Sequence, residues 1–288
     1  MELTRPSELK ALLERHGLQL ARRFGQHFLV DRNHLEKILA AAALTPDDTV
    51  LEIGPGAGVL TRELAKHAGA VVSIELDRNL PAVLADVMAE FSNWRLIEAD
   101  ALKYDWSTLG ATKVVANIPY NITSPLIVKM LEHRPVFSSI TLLVQKEVAD
   151  RAKATPDSGT YGSLSVFMQF YAAVSVPATV PRNAFFPPPK VESAILHLTP
   201  HATPPVDVPS PEAFFAVSRA AFGQRRKMLL GALSHGMDRP REEILAALNA
   251  AHVTPDRRAE TLSLDEIAAI ARALQPLVPH GAASSPEG

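Results

Sequence analysis

The sequence predicts an α/β protein, a Rossmann-like domain followed by a small all-α C-terminal domain, and three observations carry that prediction. Short apolar runs alternate with helical patterns over the first part of the chain, and a glycine-rich turn closes one of the earliest runs. A proline-rich stretch from His201 to Pro211 then separates this region from a tail of helices. Domains are therefore expected at 1–200 and 201–288.

Taken in order, the N-terminus carries Glu2, Arg5, Glu8 and Lys10 where a signal peptide would be apolar, and reads as a short helix ending at Gly17. Thr49 to Ile53 is a strand, Gly54, Gly56 and Gly58 a tight turn, and Val59 to His67 a helix. Ala70 to Ile74 runs into Glu75, Trp94 to Glu98 into Asp100, and Lys113 to Ala116 into Asn117-Ile118-Pro119-Tyr120. Ile140 to Val144 and Ala194 to Leu198 are later strands. Beyond the linker, Ser210 with Pro211 opens one helix, Pro240 lies near the start of another, and Ser263 with Glu266 forms a capping box for the last. Residues 276–288 read as a loose tail.

The glycine turn is a cofactor loop in outline, since absent Cβ atoms let a ligand approach the backbone and helix amides face it. It is not the dinucleotide fingerprint: counting from Gly54 the third glycine falls at 58 rather than 59, and counting from Gly56 the required position is Thr61. Glu75 ends the next strand, where an acid accepts from both ribose hydroxyls; Asp100 follows the third, where an acid accepts an adenine amino group. An adenosine-containing ligand without a phosphate clamp fits this set, and S-adenosylmethionine is such a ligand. In Asn117-Ile118-Pro119-Tyr120, a side-chain oxygen and the Ile118 carbonyl can each accept one hydrogen of a planar amine. Both bonds favour a pyramidal nitrogen aimed at a methyl donor. Pro119 sets the turn and Tyr120 offers a ring face to a base.

With these motifs stand Arg22-Arg23-Phe24-Gly25-Gln26-His27-Phe28-Leu29, Gln145-Lys146-Glu147-Val148, the segments from Tyr161 to Val166 and from Phe185 to Ser193, Phe222-Gly223-Gln224-Arg225-Arg226-Lys227, and Arg258 to Leu262. Together they resemble the ribosomal RNA adenine N6-dimethyltransferases, most of all the small-subunit (16S) dimethyladenosine transferases of the kasugamycin-sensitivity type. The resemblance implies a class I S-adenosylmethionine-dependent methyltransferase domain and N6,N6-dimethylation of two adjacent adenosines in the 3′-terminal hairpin of 16S rRNA. It implies that Gln26, His27 and Leu29 close over the methionine end of the donor, and that Glu52, Gly54, Gly56, Gly58, Glu75 and Asp100 hold the rest. Asn117 and Tyr120 take the target base, with Phe185 on its other face. His27 stands where relatives often carry Asn, so its bond to the donor depends on tautomer; Phe186 follows Phe185 as a second aromatic.

A net charge of −2 does not attract phosphate as a whole, but its distribution is uneven. Arg22 and Arg23, with Arg15 nearby, form one basic segment; Arg219, Arg225, Arg226 and Lys227 form another, in which Arg219, Arg226 and Lys227 are read as sharing a helix flank, and the segment as contacting RNA phosphates. The chain has no Cys, which excludes disulfide and thiolate chemistry. The expected setting is a cytoplasmic monomer acting on an immature 30S subunit, with no membrane segment and no metal. Two rivals are a methylase of another planar amine or amide, such as DNA adenine or a protein glutamine, and a noncatalytic RNA-binding assembly factor.

Overall fold

The computed structural model describes residues 1–18, 27–133, 136–224 and 226–274. It divides into two compact units, Met1–Ala154 with Tyr171–Thr203, and Thr155–Phe170 with Pro204–Gly288.

In the first unit α1 (Pro6–Arg15) precedes β1 (Phe28–Leu29) and α2 (Arg32–Ala42). Then come β2 (Thr49–Ile53), α3 (Val59–His67), β3 (Ala70–Glu75), α4 (Pro81–Val87) and β4 (Trp94–Glu98). They are followed by β5 (Lys113–Asn117), α5 (Thr123–Glu132), β6 (Ser139–Gln145) and α6 (Lys146–Ala152). After α7 (Ser163–Tyr171) the chain adds β7 (Ala172–Val180), β8 (Phe185–Phe186) and β9 (Ser193–Pro200).

Seven strands form one sheet in the order β4-β3-β2-β5-β6-β9-β7. The five from β2 to β6 are parallel and β9 runs antiparallel to both its neighbours. Parallel strands covered on both faces need continuous apolar runs, which is what Val50, Leu51 and Ile53 of β2, Val114 to Ala116 of β5 and Leu142 to Val144 of β6 supply, all buried. The edge strand β7 has no such run. Its burial alternates, and Pro177 sits where its register with β9 shifts, a position that needs no ladder donor. A separate two-stranded ribbon pairs β1 with β8, Leu29 opposite Phe185 and Phe28 opposite Phe186.

The second unit holds most of α7 together with α8 (Pro211–Phe222), α9 (Leu229–Gly236), α10 (Arg241–Ala250) and α11 (Leu264–Ala273). Ser210 caps α8 by accepting the Ala213 amide, and Ser263 with Glu266 completes the capping box of α11. These units differ from a single cut at residue 200 in grouping Thr155–Phe170 with the later helices. That excursion belongs with the helices because its Phe170 ring stacks on Phe214 at 4.4 Å, in the apolar centre of this unit. The basic run also departs from the expected helix flank. Helix α8 ends at Phe222 with Gly223 as its C-cap, so Arg226 and Lys227 lie in the turn before α9 rather than beside Arg219.

Candidate active site

The strand order reverses beside β2, with β3 and β4 on one side and β5 and β6 on the other, so the loops leaving β2 and β5 part around a crevice. A cavity of about 500 Å³ opens there. His27, Leu29, Glu52, Gly54, Gly56, Glu75, Asp100, Asn117 and Tyr120 all line it. Every one is within the first unit.

On one side stands the glycine turn. Gly54, Gly56 and Gly58 have φ of +70°, +59° and +83°, a region costly for residues with a Cβ. Space forbids a side chain as well: a Cβ on Gly56 would lie 3.0 Å from the Phe28 ring, and one on Gly58 2.8 Å from Val87 Cγ1. Gly58 does not reach the cavity and serves instead to pack the turn on α4. Glu75 is already organised by backbone. Its Oε1 accepts the Leu76 and Asp77 amides, both at 2.9 Å, and its Oε2 accepts the Gly56 amide at 3.3 Å. Burial pushes its pKa up while these amides pull it down. Leu76, next in the chain, lines the same cavity and is 63% exposed. Asp100 Oδ1 accepts the Leu102 amide at 2.9 Å.

Glu52 lies deeper, 1% exposed at the end of β2. Ser73 Oγ donates to its Oε2 at 2.7 Å, whereas Oε1 has no hydrogen-bond partner among the described residues. Burial pushes this carboxyl up to about 7, the Ser73 bond and the neighbouring Thr61 hydroxyl opposing and the nearby Glu75 adding to the rise.

The other side is neutral. Asn117 Nδ2 donates to the His27 carbonyl at 3.1 Å, which turns the amide so that Oδ1 is its remaining acceptor. Pro119 Cδ would lie 3.4 Å from a Cβ on Gly54, so the acceptor tetrapeptide and the glycine turn touch across the strand ends. The Tyr120 hydroxyl and Ser193 Oγ share a hydrogen bond of 2.6 Å, and burial raises the phenol's pKa. The His27 ring is stacked on Tyr120 with centroids 6.0 Å apart. Its Nδ1 is 2.7 Å from the Pro187 carbonyl, which can only accept, so Nδ1 carries the proton and Nε2 of the neutral ring is the acceptor. That settles the tautomer left open by the sequence.

Phe185 is not at the cavity. It is 3% exposed in the core beside Leu29, because the β1–β8 pairing turns it inward. Phe186 is half-buried at a separate surface concavity with Arg182, Asn183 and Glu192. Gln26, Arg22, Arg23 and Arg225 lie outside the described residues. Arg15 is paired with Asp86 at 3.3 Å rather than free for a phosphate. Arg219, Arg226 and Lys227 are exposed on the second unit. Sequence reasoning overlooked Leu76, signalled only by an apolar residue directly after a strand-end acid, and Ser193, which had no local signal.

Among the described residues no cluster of three or more His, Asp and Glu side chains could hold a metal ion, and no helix is long and apolar enough to cross a membrane.

Residues 17–275 match the family model described as ribosomal RNA adenine dimethylase. The ribosomal RNA small subunit methyltransferase A of Geobacillus thermodenitrificans is 42% identical over 96% of this chain and 98% of its own length. The protein of the same name from Moorella thermoacetica is 44% identical over 94% and 98%. Among solved structures, a dimethyladenosine transferase from Plasmodium falciparum superposes with a TM-score of 0.73 at 27% identity, covering 85% of this chain and 96% of that one. The 23S rRNA methyltransferase ErmE gives 0.68 at 30% identity over 86% and 99%.

Proposed function

This chain belongs to the ribosomal RNA adenine dimethylase family and dimethylates adenines of ribosomal RNA, and from that premise we propose how its residues divide the work. The donor is S-adenosylmethionine and the substrate is a pair of adjacent adenosines in the 3′-terminal hairpin of 16S rRNA, modified within an immature 30S particle in the cytoplasm by a monomer. One observation carries this reading: the glycine turn with its two acids and the Asn117–Tyr120 tetrapeptide meet on adjacent strand ends around one cavity.

The residues present fit the donor. Gly54 and Gly56 leave bare backbone at the cavity wall, Glu75 presents a carboxylate preset by backbone amides, and Glu52 Oε1 is a buried acceptor without a partner among the described residues. Glu75 would hold the ribose, Asp100 the adenine edge, Leu76 the adenine face, and His27, Leu29 and Gln26 the methionine end. When bound, S-adenosylmethionine supplies an electrophilic sulfonium methyl.

On the acceptor side, Asn117 Oδ1 and the Ile118 carbonyl each take one hydrogen of the adenine amine. This draws the lone pair out of conjugation and fixes its direction. Tyr120, held by Ser193 and His27, stacks on the base. No side chain has to act as a base, because the amine proton becomes acidic only after methyl transfer and leaves to water. The burial of Phe185 argues that it supports this pocket from behind rather than touching the base. Arg219, Arg226 and Lys227, with Arg22, Arg23 and Arg225, contact RNA phosphates, and the helical unit orients the folded RNA.

Label transfer from S-adenosylmethionine to unmethylated small-subunit particles, naked rRNA, DNA and ribosomal protein, run in parallel, tests the reading. Dimethyladenosine confined to the particles' 16S rRNA is the expected product. Transfer to DNA or protein alone would overturn the substrate, and donor binding without any transfer would point to a noncatalytic assembly role. Neutralising Arg226 and Lys227 should leave donor affinity unchanged and flatten the salt dependence of particle binding by roughly 0.7–0.9 in log–log slope for each phosphate no longer neutralised.

A further inference from the structure

The turn after β4 carries Asp100 and Ala101 into the cavity wall and then curls back on itself. The amides of Lys103 and Tyr104 both donate to the Asp100 carbonyl, at 3.0 and 2.9 Å. Such a curl leaves its later carbonyls without partners of their own, as at the end of a helix. Here a single side chain collects them. Lys129 Nζ donates to the carbonyls of Ala101, Leu102 and Tyr104 at 2.9, 2.9 and 2.5 Å, which uses every proton of the ammonium. The same ammonium lies 4.4 Å from the centre of the Trp106 ring. Burial lowers its pKa, while Asp100 and Asp105 favour the charged form.

Lys129 itself does not line the cavity, so any effect it has on a ligand passes through the backbone it holds. It sits on α5, the helix entered directly from the Asn117–Tyr120 tetrapeptide by way of the turn Tyr120–Ile122. One side chain therefore ties the element that follows the acceptor motif to the turn that presents Asp100.

We propose that Lys129 is a positioning residue for the donor's adenine, holding the Asp100 turn in the shape that accepts the exocyclic amino group. The proposal rests on the reading of Asp100 as the adenine acceptor. Its consequence is selective: loosening the turn weakens ligands that use the amino group and spares those that lack it.

The test measures, on the full-length protein by calorimetry, the affinities of S-adenosylhomocysteine and of its inosine counterpart, which has an oxygen in place of the amino group. Wild type should prefer the adenosine ligand by about tenfold or more, the loss of one charge-assisted hydrogen bond. Lys129→Met should lose most of that preference, with adenosine-ligand affinity falling about tenfold and inosine-ligand affinity changing less than about twofold. Lys129→Gln, which keeps amide donors for part of the carbonyl set, should fall in between. Equal weakening of both ligands, or an unchanged preference, would overturn the proposal by making Lys129 an ordinary structural residue. Failure of both variants to fold would overturn it likewise. A wild type without any preference would instead remove Asp100 from the adenine edge, which separates that failure from this one.

Discussion

On the donor side of the cavity Glu75 is held by amides one, two and 19 residues away, whereas on the acceptor side Asn117, Tyr120 and His27 lean on partners 90, 73 and 160 residues distant. The donor side is also acidic and the acceptor side neutral. Binding a polar nucleoside needs fixed acceptors, and short loops at strand ends can preset them. Steering an uncharged amine needs a shape assembled from the residue before β1, the end of β5, the segment between β8 and β9, and the start of β9. The first half should therefore tolerate changes elsewhere in the fold, and the second should not.

The sharpest test of this division is Asn117→Ala. It removes an acceptor that matters most as the amine turns pyramidal, so turnover should fall by about two orders of magnitude or more, with donor affinity little changed. Near wild-type turnover would end the assignment. On the donor side, Glu75→Ala should weaken S-adenosylmethionine binding by roughly 1.5–3 kcal/mol through loss of charge-assisted bonds, while transfer at saturating donor is affected less. Calorimetry showing unchanged affinity in a folded variant would take Glu75 out of the site.

Glu52 should make folding stability pH-dependent. Its folded-state pKa of about 7 lies above the ordinary 4.5, so between those values the folded chain holds a proton that the unfolded chain has released. Stability of the ligand-free protein should then fall as pH rises through that window and level off above it, by up to about 3 kcal/mol. Glu52→Gln should flatten the profile in thermal unfolding; an equally steep profile would assign the dependence to other groups. The smallest expected effect belongs to Ser193→Ala. Unpairing the Tyr120 hydroxyl should cost roughly 0.5–1.5 kcal/mol in turnover. The second methylation should suffer most, because a monomethylated amine has one hydrogen left for two acceptors. Monomethyladenosine should accumulate, and mono- and dimethyl products falling in constant proportion would contradict this account of the pocket.

The sequence by itself determined the parts of the molecule whose signals are local. Strand β2 and helix α3 match their expected bounds, because an unbroken apolar run, positive-φ glycines and helical spacing are read within a few residues. The same holds for Glu75 and Asp100 at strand ends and for the capping box at Ser263. Tertiary structure alone decided whatever depends on distant pairing. Strand β7 is hidden in sequence by Pro177 and exists because β9 pairs with it at the sheet edge. Phe185 is one of two adjacent aromatics until Leu29 lies opposite it and turns it into the core. The segment Thr155–Phe170 joins the helical unit through ring contacts with α8 and through the Asp157 amide, which donates to the Glu260 carbonyl at 2.7 Å. His27 gains its tautomer, and Asn117 the direction of its amide, from carbonyls far along the chain. A residue's type and spacing limit which bonds it can make, but the choice among those bonds waits until the folded chain brings one acceptor within about 3 Å.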